Sequence, residues 1–279
     1  MANVFNGTSL NGELFTNLLV QSQYALYENS IARAVATVFD YPVGAGKIVQ
    51  VPVWDAITSS KPGEGVAPDK AGTDTNSKTI TLAEHVVYAQ VTDFLRDSAQ
   101  ENVIAGLANQ SGMALAEGLD KELIALFASI TNSVGTAGSD NTVTDIMKAA
   151  AIIRAAKYTG PLFAVLNPKQ AYGIKAALTG TAALANTGLQ NRTLDQYFVG
   201  TIAGVTILES ALVTPDGSDD STGCVFAPAA FGLAQRGGIN METQRVASAR
   251  ATDVVMSAVA GAGILRPEMA VKIIGDSVL

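Results

Sequence analysis

His85 and Cys224 are the only imidazole and the only thiol in the chain, so chemistry that needs a general base or a soft metal ligand has few places to start. A Ser-His-Asp arrangement needs a nucleophile on a strained elbow, and no GxSxG sequence occurs. His85 falls in a strand pattern where the apolar alternation changes phase, and it reads as a structural or surface residue. Cys224, followed by Val225 and Phe226, reads as a small buried hydrophobe. A single Cys and a single His exclude an intrachain disulfide and any zinc site built from several such ligands. GAGK at 44–47 invites a phosphate-loop reading. However, Tyr41 stands where GxxxxGK[ST] begins with glycine, Ile48 replaces the Ser or Thr, and a strand pattern follows instead of a helix. GAG at 261–263 fails as a dinucleotide fingerprint because Arg266 occupies the place of the third glycine. Asp216, Asp219 and Asp220 lack the spacing of a calcium loop and read as a solvated turn. Glu117, Asp120, Lys121 and Glu122 read as a solvated helix face or a partner contact. No catalytic, cofactor or metal site assembles from these residues.

The composition narrows the class further. The chain has 279 residues, 48% of them hydrophobic and 15% charged, with a net charge of -7. That length supports a sizeable core in one large domain or two intertwined ones. A negative chain does not capture phosphate backbones broadly, because that requires clustered Lys and Arg. No apolar run is long enough to span a membrane, and the start lacks the pattern of a secretory signal, so synthesis is expected to be intracellular.

The elements that would position any site follow from periodicity. Residues 13–39 carry apolar positions at helical spacing and predict one or two helices, the second stopped by Pro42. KIVQVPVW (47–54) and KTITLAEHVVYAQV (78–91) predict strands, the second with a bulge or bend near Glu84. Between them lies SSKPGEGVAPDKAGTDTNSK (59–78), with Val66 its only large apolar residue. It reads as the polar tip of an extended two-stranded arm. Residues 96–130 predict a long amphipathic helix opened by a capping box at Ser98 and Glu101, with Gly106, Gly112 and Gly118 explained by close backbone packing. A loop at 133–141 precedes a helix at 144–160, with Ile146, Met147, Ala150 and Ile153 inward and Gly160 as its stop. Leu162–Leu166 predicts a buried strand, followed by Asn167 as N-cap and Pro168 opening a helix. Loops at 179–193 and 215–223 flank a strand pattern at 200–210, and the last fifty residues predict three further strands. The pattern is α+β.

The ordered set GKIVQVPVW, TDFLRDSAQENVIAGLANQSGMALAEGLDKELIALF, FAVLNPKQAYGIKAAL, VGTIAGVTILES and GILRPEMAVKI resembles the major capsid proteins of tailed bacteriophages, the Hong Kong 97-like fold. The resemblance implies an N-terminal arm and helix (1–40), an extended β-hairpin loop (41–84), a peripheral domain with a spine helix (85–137 and 235–279) and an axial domain (138–234). It implies a structural subunit that assembles with itself through pentamers and hexamers into an icosahedral shell around double-stranded DNA, with no enzyme activity and no cofactor. Lys61, Glu64, Asp69, Lys70, Asp74 and Lys78 become subunit-interface residues. Some members cross-link a loop lysine to a neighbour's asparagine, which would nominate Lys61 or Lys70, but the sequence shows no matching acceptor and glutamate, and that activity is not carried over. The implied partners are a separate scaffolding protein or none, a portal, decoration proteins and packaged DNA bound without sequence specificity. The implied location is the virion capsid, assembled in the bacterial host cytoplasm.

Physics adds that a two-stranded ribbon burying little against its own domain gains stability by lying on a neighbour. An encapsulin-type nanocompartment shell is the alternative with the same fold. A small-molecule enzyme with a site in the loops of 179–223, and a surface-layer or filament protein, are readings from other classes.

Overall fold

In the computed structural model, the described residues are 30–44, 46–54, 57, 59–65, 67, 75–94, 102–180 and 201–277. The first described helix, α1 (Ile31–Val35), is a little over one turn long. The chain then becomes strand β1 (Thr37–Asp40) and does not continue as helix toward Pro42. Thr37, Val38 and Phe39 suit a strand, and they pair in parallel with Gly232, Leu233 and Ala234, so sheet pairing overrides a helical spacing of apolar residues.

Strands β2 (Ile48–Trp54) and β3 (Thr75–Thr81) form an antiparallel pair running from Ile48 opposite Thr81 to Trp54 opposite Thr75. The return strand is not one element. It ends at Thr81, and β4 (Ala83–Thr92) joins a different sheet. Leu82, at the changeover, is 2% exposed, and its amide donates to the Lys47 carbonyl at 2.9 Å. The phase change legible in the sequence is thus a passage between two sheets, two residues before Glu84, and not a bulge within one.

Helix α2 (Asn102–Ala125) is about 36 Å long at 1.5 Å per residue. The proposed capping box at Ser98 and Glu101 lies outside the described residues. Ala108, Leu115, Ala116 and Leu119 pack with Val254, Met256 and Ala258 on one face of a four-stranded sheet. That sheet has the order β1-β10-β11-β4, with β10 (Phe231–Val246) and β11 (Ala251–Ile264) forming a long antiparallel ribbon. Gly118 answers to close packing, since a Cβ there would stand 2.9 Å from His85 Nδ1, whereas Gly106 faces open space.

The second sheet has the order β5-β12-β9-β6-β8-β7, where β5 is Ser133–Gly135, β6 Leu162–Leu166, β7 Thr201–Ile202, β8 Val205–Glu209, β9 Asp220–Phe226 and β12 Ala270–Asp276. Helix α3 (Val143–Ala155) covers one face through Ile146, Ala149, Ala150 and Ile153. Helix α4 (Pro168–Gly180) adds Ile174 to the same cluster. The other face places Val165, Cys224 and Phe226 against Phe127 and Phe231. Burial on both faces is why LFAVL and CVF read as continuous apolar runs. Phe226 and Phe231 meet edge to face, 4.9 Å between centroids, and join the two sheets in one core.

Several expected boundaries move. The segment 133–141, expected as loop, contributes β5, paired with β12. Helix α3 stops at Ala155, and Lys157, not Gly160, takes the left-handed backbone after it, with φ of 65°. Met147, expected inward, is 53% exposed, and Ala149 joins Ile146, Ala150 and Ile153 on the buried face. The closing strand β12, grouped from the sequence with the peripheral segments, is hydrogen-bonded between β5 and β9 in the six-stranded sheet. Asn167 caps α4 as the sequence predicts, with Oδ1 accepting from the Lys169 amide at 2.8 Å.

Candidate assembly surface

Alternation along β2 turns Val49, Val51 and Val53 toward the body of the molecule and leaves Ile48, Gln50, Pro52 and Trp54 exposed. Directly opposed residues share a face, so Ser77, Thr79 and Thr81 stand beside the exposed row. The inner row packs with Ile80, Leu82, Ala234 and Leu265. The paired part of the hairpin is therefore seated on its own chain, contrary to the expectation that it buries little there. Gly261 and Gly263 make the seat possible. A Cβ on Gly263 would lie 2.7 Å from Ile80 Cγ1, and one on Gly261 would collide with the Thr81 carbonyl oxygen. Two arginines hold the ends: Arg236 donates to the Gly46 carbonyl, and Arg266 Nη2 donates to the Trp54 carbonyl at 3.1 Å.

Of the interface residues named from sequence, Lys61 and Glu64 are exposed in the tip, beside a turn whose Gly65 has φ of 78°. Lys78 is half-buried on the inner face, opposite Val51. Asp69, Lys70 and Asp74 lie outside the described residues. The exposed apolar residues of the hairpin were missed: Ile48, Trp54 and Ile57 are 54%, 58% and 66% exposed. Strict alternation beside three inward valines was the signal that would have placed Trp54 outside.

A second exposed surface lies on the face of the four-stranded sheet opposite α2. Val86, Tyr88 and Gln90 on β4 stand beside Ser257, Val255 and Asp253 on β11. The Asp253 carboxylate accepts from Gln90 Nε2 at 2.8 Å and from the Tyr88 hydroxyl, and that hydrogen bond raises the phenol above its ordinary pKa. At the far end of the ribbon, Arg245 grips Asp93 through two bonds of 2.8 and 2.7 Å.

The residues weighed for chemistry have structural work. Asp120, expected on a solvated face, is 4% exposed and accepts from the Ser30 hydroxyl at 2.9 Å and from the amides of Ile31 and Ala32 at 3.0 and 2.8 Å. Burial raises its carboxyl above the usual range, and those three donors pull it back. It caps α1 from α2 across about ninety residues of sequence. Glu117 and Lys121 do form a surface pair, at 2.7 Å. Asp216 accepts from the amides of Ser218 and Asp220, and Asp220 from that of Gly138, so these carboxylates organise turns. Cys224 is fully buried, which pushes its thiol far above the ordinary value. His85 lies between β4 and α2, its Nε2 4.0 Å from Glu122 Oε1. Among the described residues no group of three His, Cys, Asp or Glu converges to hold a metal ion, and no helix is long and apolar enough to cross a membrane.

Comparison with curated protein sequences finds no match. A family model described as phage capsid protein matches residues 75–273. The chain belongs to that family. Solved structures agree on the fold of this phage capsid protein. It is similar to the capsid of the cyanophage P-SCSP1u, at 19% identity and a TM-score of 0.65, with 87% of each chain covered. It is also similar to the acid-stable capsid of Helicobacter pylori bacteriophage KHP30, at 13% identity and a TM-score of 0.70, covering 89% of this chain and 92% of that one. The mature capsid of bacteriophage PhiM1 gives 14% identity and a TM-score of 0.63, covering 90% and 88%. The fold is the α+β Hong Kong 97-like capsid fold, and the protein is a structural major capsid protein of the tailed-phage kind.

Proposed function

We propose that this capsid protein assembles with copies of itself through pentamers and hexamers into an icosahedral shell around double-stranded DNA, and that it does so without enzyme activity. The observation that carries this reading is the hairpin. It is seated on its own chain on one side and presents an exposed, uncharged face on the other, and its polar tip includes Lys61 and Glu64. Such an arm has a fixed base and an unused surface. Lying across the exposed sheet face of a neighbour, near Val86, Tyr88 and Val255, it makes a heterologous contact, and heterologous contacts related by rotation close into rings. Asp69, Lys70 and Asp74 belong to the same contact zone, whereas Lys78, on the inner face beside Val51, faces the body of its own chain.

The four-stranded sheet with α2 serves as the peripheral domain. The six-stranded sheet, β12 included, serves as the axial domain whose loops meet around the symmetry axes. A net charge of -7 suits a wall that must not arrest packaged DNA. A separate scaffolding protein, a portal and decoration proteins complete the set of partners, and assembly takes place in the host cytoplasm.

The test is negative-stain microscopy of the purified protein, co-expressed with its neighbouring genes to supply any scaffold. Closed particles tens of nanometres across that hold nucleic acid are expected. A persistent monomer would overturn the shell reading, and particles filled with one enzyme species would move it to a nanocompartment.

A further inference from the structure

His85 is the only histidine of the chain, and it sits where β4 meets α2. Alternation along β4 puts it on the inner face of the four-stranded sheet with Ala83 and Val87, opposite Ala258 of β11. On the helix side the ring lies against bare backbone, since a Cβ at Gly118 would stand 2.9 Å from Nδ1. Nε2 is buried and has no hydrogen-bond partner. Glu122 Oε1, one helical turn beyond Gly118, stands 4.0 Å from it, too far for a hydrogen bond. The Glu122 side chain is 41% exposed, so a change of rotamer can close that gap.

A neutral imidazole has one donor and one acceptor, whereas the protonated ring has two donors. With the ring neutral, a buried nitrogen without a partner is desolvated and gains nothing in return. With the ring charged, the same nitrogen becomes a cationic donor beside a carboxylate, and a charge-assisted bond is within reach. The surrounding groups do not compete for it. The inner face of β4 and β11 brings Ala83, Val87, Met256, Ala258 and Ala260 to the ring's neighbourhood. On α2, Asp120 is turned to Ser30 and the first amides of α1, and Glu117 holds Lys121 at 2.7 Å. Across the sheet on β10, Gln235 is bonded to Arg33 of α1 and to Asp40 of β1.

We propose that His85 and Glu122 form a pH-sensitive latch between β4 and the long helix, open while the ring is neutral and closed when it is protonated. Histidine is the side chain whose ordinary titration falls between pH 5 and 8, so the latch works near neutrality. A histidine that gains a partner on protonation adds stability that is complete at acid pH and is lost as pH rises. Both partners belong to one chain, so the latch is independent of the shell reading and is read on unassembled protein.

The test compares the parent, Glu122→Gln, His85→Gln and the double variant at about pH 8 and about pH 5.5, on either side of the histidine range. Relative to the parent, the melting temperature of Glu122→Gln should fall by about 2 °C from the higher pH to the lower. In the His85→Gln background the same substitution should show no such pH dependence. That comparison separates the latch from Asp120, whose carboxyl, raised by burial, also favours acid pH. Labelling histidine with carbon-13 gives a single ring resonance, which Glu122→Gln should move at the lower pH and leave in place at the higher. A melting difference between Glu122→Gln and the parent that is the same at both pH values would overturn the latch. An effect of Glu122→Gln that persists without His85, or a ring resonance indifferent to Glu122 at acid pH, would overturn it as well.

Discussion

Asp145 closes the first turn of α3 by accepting from the Thr142 amide at 3.1 Å and the Thr142 hydroxyl at 2.8 Å, with Lys148 Nζ 3.3 Å away. Burial, the largest single influence, pushes its carboxyl up, but the bonds from Thr142 together with Lys148 outweigh it and leave the pKa below the ordinary value. A carboxyl whose folded pKa lies below its unfolded one contributes stability that is full above the unfolded pKa and is lost as pH falls through the folded one. Asp145→Asn is therefore expected to cost about 1 kcal/mol at neutral pH, and the difference from the parent should shrink as pH falls below the ordinary carboxylate range, as read by urea unfolding at neutral and acid pH. This cap was open to sequence reasoning because all its members lie within one helical turn. The cap that Asp120 gives to α1 was not, because its donors are distant in sequence and an acid between Leu119 and Lys121 looks like any other surface charge.

At the scale of elements, glycine decides how strands and helices approach. Gly261 and Gly263, dismissed as a nucleotide motif, let β3 cross β11 at backbone contact. Gly261→Ala should cost on the order of 2 kcal/mol by overpacking and expose the hairpin to protease cleavage, measured by chemical unfolding and limited proteolysis. Gly106→Ala, whose Cβ would meet nothing, should instead stabilise the helix by up to about 1 kcal/mol. The two substitutions look alike in sequence, and only the neighbour facing each glycine separates them. Element types were legible for the same reason that boundaries were not. The four-residue steps of Leu115, Leu119 and Leu123 announce a helix, but the end of a strand at Thr81 depends on which sheet receives the next residues.

For the whole molecule the hairpin tip gives the sharpest expectation. Replacing residues 55–74 by a two-residue Asn-Gly turn keeps Trp54 opposite Thr75 and β2 and β3 in register, and leaves their seat untouched. The variant should unfold within about 1 kcal/mol of the parent and fail to form stable particles, by denaturation and electron microscopy respectively. Normal particles from it would remove the tip from assembly. Unfolding of the variant would show that the tip, and not the seat at Val49, Ile80 and Leu82, stabilises the arm.

The sequence by itself determined the order of elements, the long helix, the polar tip between two strands and the poverty of catalytic groups, because each is a property of spacing or composition along the chain. It also carried the likeness to capsid proteins, which lies in that order. Tertiary structure decided the rest. It split the return strand between two sheets, placed β12 beside β9, seated the hairpin on Gly261 and Gly263, and buried Asp120 under α1. Each of these depends on which distant segment fills the space beside a residue, and local periodicity holds no information about that.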